Sequence, residues 1–410
     1  MGAASRFLLW LGRLIGVASV LVVAGGIIWY LTVAAPTPRP PPLAAPAEPD
    51  GVEVAGWGSL PAVGPRIFGP CVRVLAIDGG GVRGIIPAMI LAHIEKATGR
   101  PISDQFNLIV GTSTGSIIAL GLTRPGVSTP RKPAFAAAQI AALFEEHAPD
   151  IFPYEYEQLR ALRQLVRPKY DPASVEAVFA KYFGEERIGR ALTEVAVPAY
   201  DFENGRRLWL TNREHGDLLM RDIARGATAV PTYFPPARLA VQKRISPSGY
   251  ITLVDGALFA NNPAQEALSL AERLIPSGDR SLLLLSIGTG RLTVAYTYEE
   301  VWSWGAISWS NPILEIVFND PSVDYHARRA MAMRGGSYYR LQLDLGQHPP
   351  PLDASAPNVI AHLKSTTERF LANPPTAERV RESQLERVLA ELRLPRSPAC
   401  GKPIGTPVER

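Results

Sequence analysis

Cysteine is almost absent from this 410-residue chain: Cys71 and Cys400 are the only two. They are too few for a disulfide framework or a zinc knuckle. Histidine is scarce too, at positions 93, 147, 215, 326, 348 and 362, and none of the six stands in a glycine-rich loop after a strand-like run. The sequence has no glycine-rich loop leading into Gly-Lys-Ser/Thr and no EF-hand pattern of spaced acids, so nucleotide phosphates and calcium lack their usual cradles. Charge of one sign is missing as a block. The 42 basic residues nearly balance 38 acidic ones and are scattered, so the net charge of +4 comes without the basic stripe that nucleic acid requires. There is no internal repeat. At 47% hydrophobic and 20% charged residues, the chain is neither disordered nor a multi-span membrane protein.

One long apolar run is present. The 22 residues from Leu14 to Ala35 carry no charge, and about 20 suffice for a helix to cross a hydrocarbon core. Arg6, Arg13 and the terminal amine precede the run, whereas Arg39 is offset by Glu48 and Asp50 after it. The positive-inside bias then predicts a single-pass protein with a cytoplasmic N-terminus and the rest on the non-cytoplasmic side, with Trp29 and Tyr30 at the far interface. A cleaved signal peptide ending near Val33 and Ala35 is the competing expectation, disfavoured by Pro36 and by the length of the run. Residues 36–50 hold seven prolines and form a tether reaching roughly 45 Å at most in polyproline II geometry. The predicted organisation is a stub and anchor over 1–35, a linker and lead-in over 36–69, a catalytic domain over 70–375, and a C-terminal helix and tail over 376–410.

Within the catalytic domain strands alternate with helices. Val72–Ile77 is apolar and flanked by glycine, which predicts a buried strand, and Ile85–Ala97 has helical spacing; Leu108–Val110 and Ser116–Leu122 repeat the pair. Two adjacent βα units predict a parallel sheet with helices on its faces. Arg187–Val197, Arg207–Leu210 and Leu282–Ile287 read as further strands. Ala134–His147, Pro172–Phe183, Asn262–Leu274, Pro312–Met333 and Ala377–Leu392 read as helices. The insert around 135–165 fits either a lid or packed helices, and the apolar stripe Leu159, Leu162, Leu165 and Val166 is expected to face the core. Trp302, Trp304 and Trp309, with Ile307, suit an interfacial patch and core packing equally.

The chemistry-bearing residues follow these strands. Gly111-Thr112-Ser113-Thr114-Gly115 is a G-x-S-x-G element between a strand and a helix, the setting of a nucleophile elbow. Asp78-Gly79-Gly80-Gly81-Val82-Arg83-Gly84 follows the first strand and opens a helix; its bare amides suit an anion. Arg83 is the nearest positive charge in sequence to a developing oxyanion or a lipid phosphate. A carboxylate, Asp255, ends the apolar stretch Tyr250–Val254 and precedes Gly256-Ala257. The order Ser113, Asp255, His326 also matches an α/β-hydrolase triad, but that fold places several strands before its nucleophile, and here only one βα unit precedes Ser113. A lipid-binding or partner-binding protein with a silent site is the non-enzymatic alternative.

These three loops, in this order and separation, resemble the patatin-like phospholipases, which are serine lipid acyl hydrolases. Further likeness lies in Ala227–Pro236, Phe259–Pro263 and Ser286–Gly290, so the resemblance covers about residues 70–370. It implies a three-layer α/β fold whose central, mostly parallel sheet is flanked by helices. It also implies that Ser113 is the nucleophile and Asp255 the general base of a dyad, that Gly79, Gly80 and Gly81 form the oxyanion hole, and that Arg83 supports it. Asp78, Gly84, Gly111, Gly115 and Gly256 complete the motifs; Ala257 stands where many relatives have glycine. The implied substrate is a phospholipid or another acyl lipid at a membrane, with no metal or other cofactor.

Overall fold

A computed structural model describes residues 72–154, 167–273, 282–291, 296–318, 320–346, 349–373 and 383–395. The predicted span 14–35, the proline-rich tether, both cysteines and the stripe between 159 and 166 lie outside these residues. Among the described residues no helix is long and apolar enough to cross a membrane.

Among the described residues eight strands form one mixed sheet. Strands β1 (Val72–Ile77), β2 (Leu108–Gly111), β3 (Glu194–Asp201), β7 (Leu282–Ile287) and β8 (Ser337–Leu341) pair in parallel in the order β3-β2-β1-β7-β8. Strands β4 (Arg206–Thr211), β5 (Ala237–Ala240) and β6 (Tyr250–Asp255) add antiparallel pairings at the β3 side. All six residues of β1 and of β7 are buried, as expected of central parallel strands covered on both faces.

The strand period of two sorts side chains into two cores. Leu75, Ile77, Ile109, Leu283 and Leu285 face one layer, where they meet helices α1 (Ile85–Thr98), α2 (Thr114–Thr123) and α3 (Ala137–Ile151), which follow in chain order. Helices α4 (Pro172–Phe183) and α5 (Met220–Ala227) join the same core. Val74, Ala76, Val110, Leu282 and Leu284 face the other layer, covered by α6 (Ala264–Glu272) through Ala264, Ala267, Leu268 and Ala271. The result is an α/β arrangement of sheet between helices.

Three expectations need correction. The strand predicted over Arg187–Val197 begins only at Glu194, because Ile188–Arg190 turns as a 3-10 helix whose Gly189 N–H is taken by the Gly216 carbonyl. The single helix predicted over Pro312–Met333 is two, α7 (Ala306–Phe318) and α8 (Ser322–Met333). Pro321 interrupts them, since a proline disfavours helical backbone at the residue before it. Strands β5 and β8 and helices α5 and α9 (Pro357–Ala372) were not foreseen. Within the stretch Tyr296–Trp309, Trp304 packs edge-on against Tyr296 and Trp309, with ring centroids 4.7 and 5.2 Å apart.

The last described helix, α10 (Gln384–Arg393), buries Leu385, Val388, Leu389 and Leu392 in the first core. Its orphan carbonyls are satisfied from a distance: the buried Arg73 guanidinium donates to Leu392 O at 3.2 Å, Glu391 O at 3.2 Å and Leu394 O at 2.7 Å. A cation at a helix C-terminus is favoured by the helix dipole as well. Leu392→Ala should therefore destabilise the protein by about 2–5 kcal/mol, the usual range for a fully buried leucine. Urea unfolding checks this, and a negligible loss would show that the helix does not belong to the core.

Candidate active site

The parallel register of β1 and β2 pairs Ile77 with Gly111, so the glycine loop and the serine turn leave the same sheet edge side by side. Ligands of open α/β sheets gather at such carboxyl ends. Ser113 occupies the turn between β2 and α2 with φ 51° and ψ −120°. Positive φ in a non-glycine residue costs on the order of 1–3 kcal/mol and persists only where the surroundings enforce it. Here Thr112 N–H donates to Ile77 O at 3.0 Å and Thr112 Oγ1 to Ala260 O at 2.6 Å. Gly115 must be glycine, because a Cβ there would lie 2.5 Å from the Ile77 carbonyl oxygen. Gly111 is the last residue of β2.

Asp255 comes from a strand running the other way. Val110 pairs with Ala196 on β3, and three residues further along β3 Ala199 pairs with Asp255, so β6 stops at the level where β2 ends. The Ser113 hydroxyl donates to Asp255 Oδ2 at 2.6 Å, and Ala257 N–H donates to Oδ1 at 2.8 Å. Gly256 lies between, capping the short helix Ala257–Ala260. Asp255 is 1% exposed. Burial pushes its carboxyl from 3.8 up to about 7, although the Ser113 and Ala257 hydrogen bonds pull the other way.

The glycine loop differs from expectation at one position. Gly79 N–H is taken by the Asn261 carbonyl at 3.1 Å, which removes it from the set of three amides expected to receive an oxyanion. Gly80 and Gly81 line the cavity beside Ser113, and their amides have no hydrogen-bond acceptor among the described residues. Gly81 has φ +58°, and a Cβ there would lie 2.0 Å from the Leu352 carbonyl oxygen. Arg83 is buried; its N–H and its Nε reach the Gly80 carbonyl at 3.1 and 3.5 Å, so it grips the loop from within. Gly84 caps α1.

Arg340, on the unforeseen β8, was not visible as a site residue. Its guanidinium takes Asp78 with Nη1 to Oδ1 at 2.8 Å and Nη2 to Oδ2 at 2.5 Å, and Nη1 also donates to Ser286 Oγ at 2.7 Å. Such a two-pronged pair fixes direction as well as distance. Burial pushes the Asp78 carboxyl up, against the pull of Arg340. The sequence signal was Asp78 itself, a buried acid needing a partner that composition could not name.

Gly80, Gly81, Ser113, Phe152, Val230, Tyr233, Ala257, Asn261, Phe318 and Leu352 enclose a cavity of about 20 Å³, room for about one water. No histidine is among them. His326, the candidate third triad member, lies on α8 with its ring against Tyr325, and both Asp255 oxygens are engaged without it. A larger hollow of about 270 Å³ near His215, Val241 and Arg244 contains none of the motif residues, so size does not locate the site.

The profile of the patatin-like phospholipase family matches residues 75–268, the stretch that holds all three loops. Patatin-like protein 1 of Arabidopsis thaliana is 30% identical over 347 residues, spanning 75% of this chain and 83% of that protein. Patatin of Solanum tuberosum is 33% identical over 305 residues, spanning 67% and 77%. A further Solanum tuberosum relative, named "Probable inactive patatin-3-Kuras 1", is 34% identical over 275 residues, spanning 61% and 71%. The chain belongs to the patatin-like phospholipase family and is an enzyme of its lipid acyl hydrolase class.

A carboxylate acts as a base only when ionised, so kcat/KM on a soluble acyl ester should rise about tenfold per pH unit below about 7 and level off above it. Stability should run oppositely. The folded-state value lies above the unfolded 3.8, so the cost of ionising Asp255 grows from about pH 4 and is complete above about pH 7. Asp255→Asn should gain stability relative to the parent over that window in paired urea titrations. A flat activity profile between pH 5 and 8 would remove Asp255 as the base.

Proposed function

We propose that the protein hydrolyses fatty-acyl esters of phospholipids or lysophospholipids through a Ser113–Asp255 dyad. The observation that carries this reading is the 2.6 Å hydrogen bond from Ser113 Oγ to a buried carboxylate with no histidine between them. Ser113 Oγ attacks the ester carbonyl while Asp255 Oδ2 takes its proton. The tetrahedral oxyanion that forms is received by the amides of Gly80 and Gly81, and preorganised donors of this kind are worth about 3–4 kcal/mol each. Collapse breaks the ester C–O bond, Asp255 returns the proton to the leaving alcohol, and the acyl group stays on Ser113. Water then attacks, again with Asp255 as base, and releases the fatty acid. Arg83 acts through the Gly80 carbonyl, as a support of the loop.

The N-terminal run Leu14–Ala35 supports a second part of the reading: a single-pass anchor with the catalytic domain on the non-cytoplasmic side, within tether reach of lipid substrate. A cavity with room for about one water also bears on substrate entry. The wall that an acyl chain meets beside Ser113 is apolar, built by Phe152, Val230, Tyr233, Phe318 and Leu352.

Ser113→Ala and Asp255→Asn should each lower fatty-acid release from phospholipid vesicles by about 10³-fold or more, and the double variant should be little worse because the two groups act as a unit. Retained activity in Ser113→Ala would end this reading. Unmeasurable hydrolysis by the parent across a panel of phospholipids and neutral esters would favour a silent site.

A further inference from the structure

Behind the glycine loop lies a buried ion pair that the proposed chemistry does not use. Lys169 Nζ stands 2.6 Å from Asp353 Oδ2, and the Tyr170 hydroxyl donates to the same oxygen at 2.7 Å. Both charged side chains are at least nine-tenths buried. The ammonium also sits 5.4 Å from the Tyr170 ring centroid and 5.6 Å from that of Tyr233. The backbone N–H groups of Lys169 and Tyr170 donate to the carbonyls of Thr232 and Tyr233 at 2.8 and 2.9 Å. Asp353 is thus tied to one wall of the cavity.

Its chain neighbours reach the other parts of the site. The Leu352 carbonyl accepts Val82 N–H at 2.8 Å and lies hard against Gly81, and Leu352 itself lines the cavity. Ser355 donates its hydroxyl to the carbonyl of Phe152, another lining residue. One short segment, 352–355, therefore touches both the glycine loop and the apolar wall, and it is attached through two buried side chains, the Asp353 carboxylate and the Ser355 hydroxyl.

We propose that Asp353 is a positioning residue: held by Lys169 and Tyr170, it fixes the Leu352 carbonyl, which holds the Gly80–Val82 turn so that two amides face the reacting carbonyl. This rests on the dyad and glycine-loop reading above. Formation and breakdown of the acyl-enzyme both pass through an oxyanion at those amides, so loosening the segment slows both steps and leaves ground-state binding of the ester alone. A shift of about 1 Å in such a site can cost about 100-fold in rate.

Steady-state kinetics on a soluble acyl ester test this, with active sites counted by fluorophosphonate titration run to completion. Asp353→Asn should lower kcat about 10- to 100-fold while KM stays within about twofold. Affinity for a long-chain trifluoromethyl ketone, whose hemiketal with Ser113 places an oxyanion at the two amides, should fall in step with kcat, whereas affinity for the corresponding alcohol should not move. Removing one partner leaves a buried charge unpaired, so a second variant guards against misfolding. Lys169→Met, Tyr170→Phe and Asp353→Leu together remove both charges and the hydroxyl, and this triple variant should show the same kcat loss. Parent-level kcat in either folded variant, or a loss carried wholly by KM or by the number of titrated sites, would overturn the proposal. An undiminished rate in Ser113→Ala would instead overturn the dyad reading and this inference with it.

Discussion

The buried contact between Ser113 Oγ and Asp255 is the constraint on which the rest of the structure turns. A carboxylate taken out of water without a neighbouring cation is costly in its charged form, and among the described residues Asp255 has a serine hydroxyl and one amide as hydrogen-bond donors. That cost is what lifts its pKa to about 7. A lone aspartate in water would be too weak a base for a serine; raised toward neutrality it can both take and return a proton. The desolvation that weakens the fold above neutral pH is the same desolvation that suits the proposed chemistry.

Holding such a pair requires three loops to meet from distant parts of the chain. β1 and β2 bring the glycine loop and Ser113 to one edge by parallel register, and β6 arrives antiparallel and stops at the same level. The loops are then fixed from behind. Arg340 clamps Asp78 at the root of the glycine loop, Arg83 holds the Gly80 carbonyl, and Leu352 holds Val82. Strain at Ser113 persists because Thr112 is bonded on both sides, to Ile77 and Ala260. Rigidity at the edge suits electrostatic stabilisation, which depends on donors that need not reorganise as charge develops.

Much of this was legible in the sequence where the signal is local. Val72–Ile77 and Leu282–Ile287 read as strands because they are buried on both faces, and Gly111–Gly115 reads as an elbow because the turn demands its glycines. Asp255 was weaker: Asp-Gly is an ordinary turn pair, and the family resemblance carried it. What depended on distant contacts was not legible. Arg340 meets Asp78 across 262 positions, and its strand, Ser337–Leu341, is short and only alternately buried. Gly79 looks like its two neighbours in sequence, yet its amide is used by Asn261. The helical pattern over 312–333 hid the break at Pro321, where backbone stereochemistry overrides periodicity.

The most direct measurement is to trap the covalent intermediate. A slowly deacylating ester mixed with the full chain, acid-quenched within a turnover and mapped by peptide mass spectrometry, should place one acyl group on the peptide carrying Ser113. The label should vanish in Asp255→Asn and disappear with time in the parent as fatty acid accumulates. Acyl transfer to a different residue, or turnover with no acylated peptide at any quench time, would contradict the account.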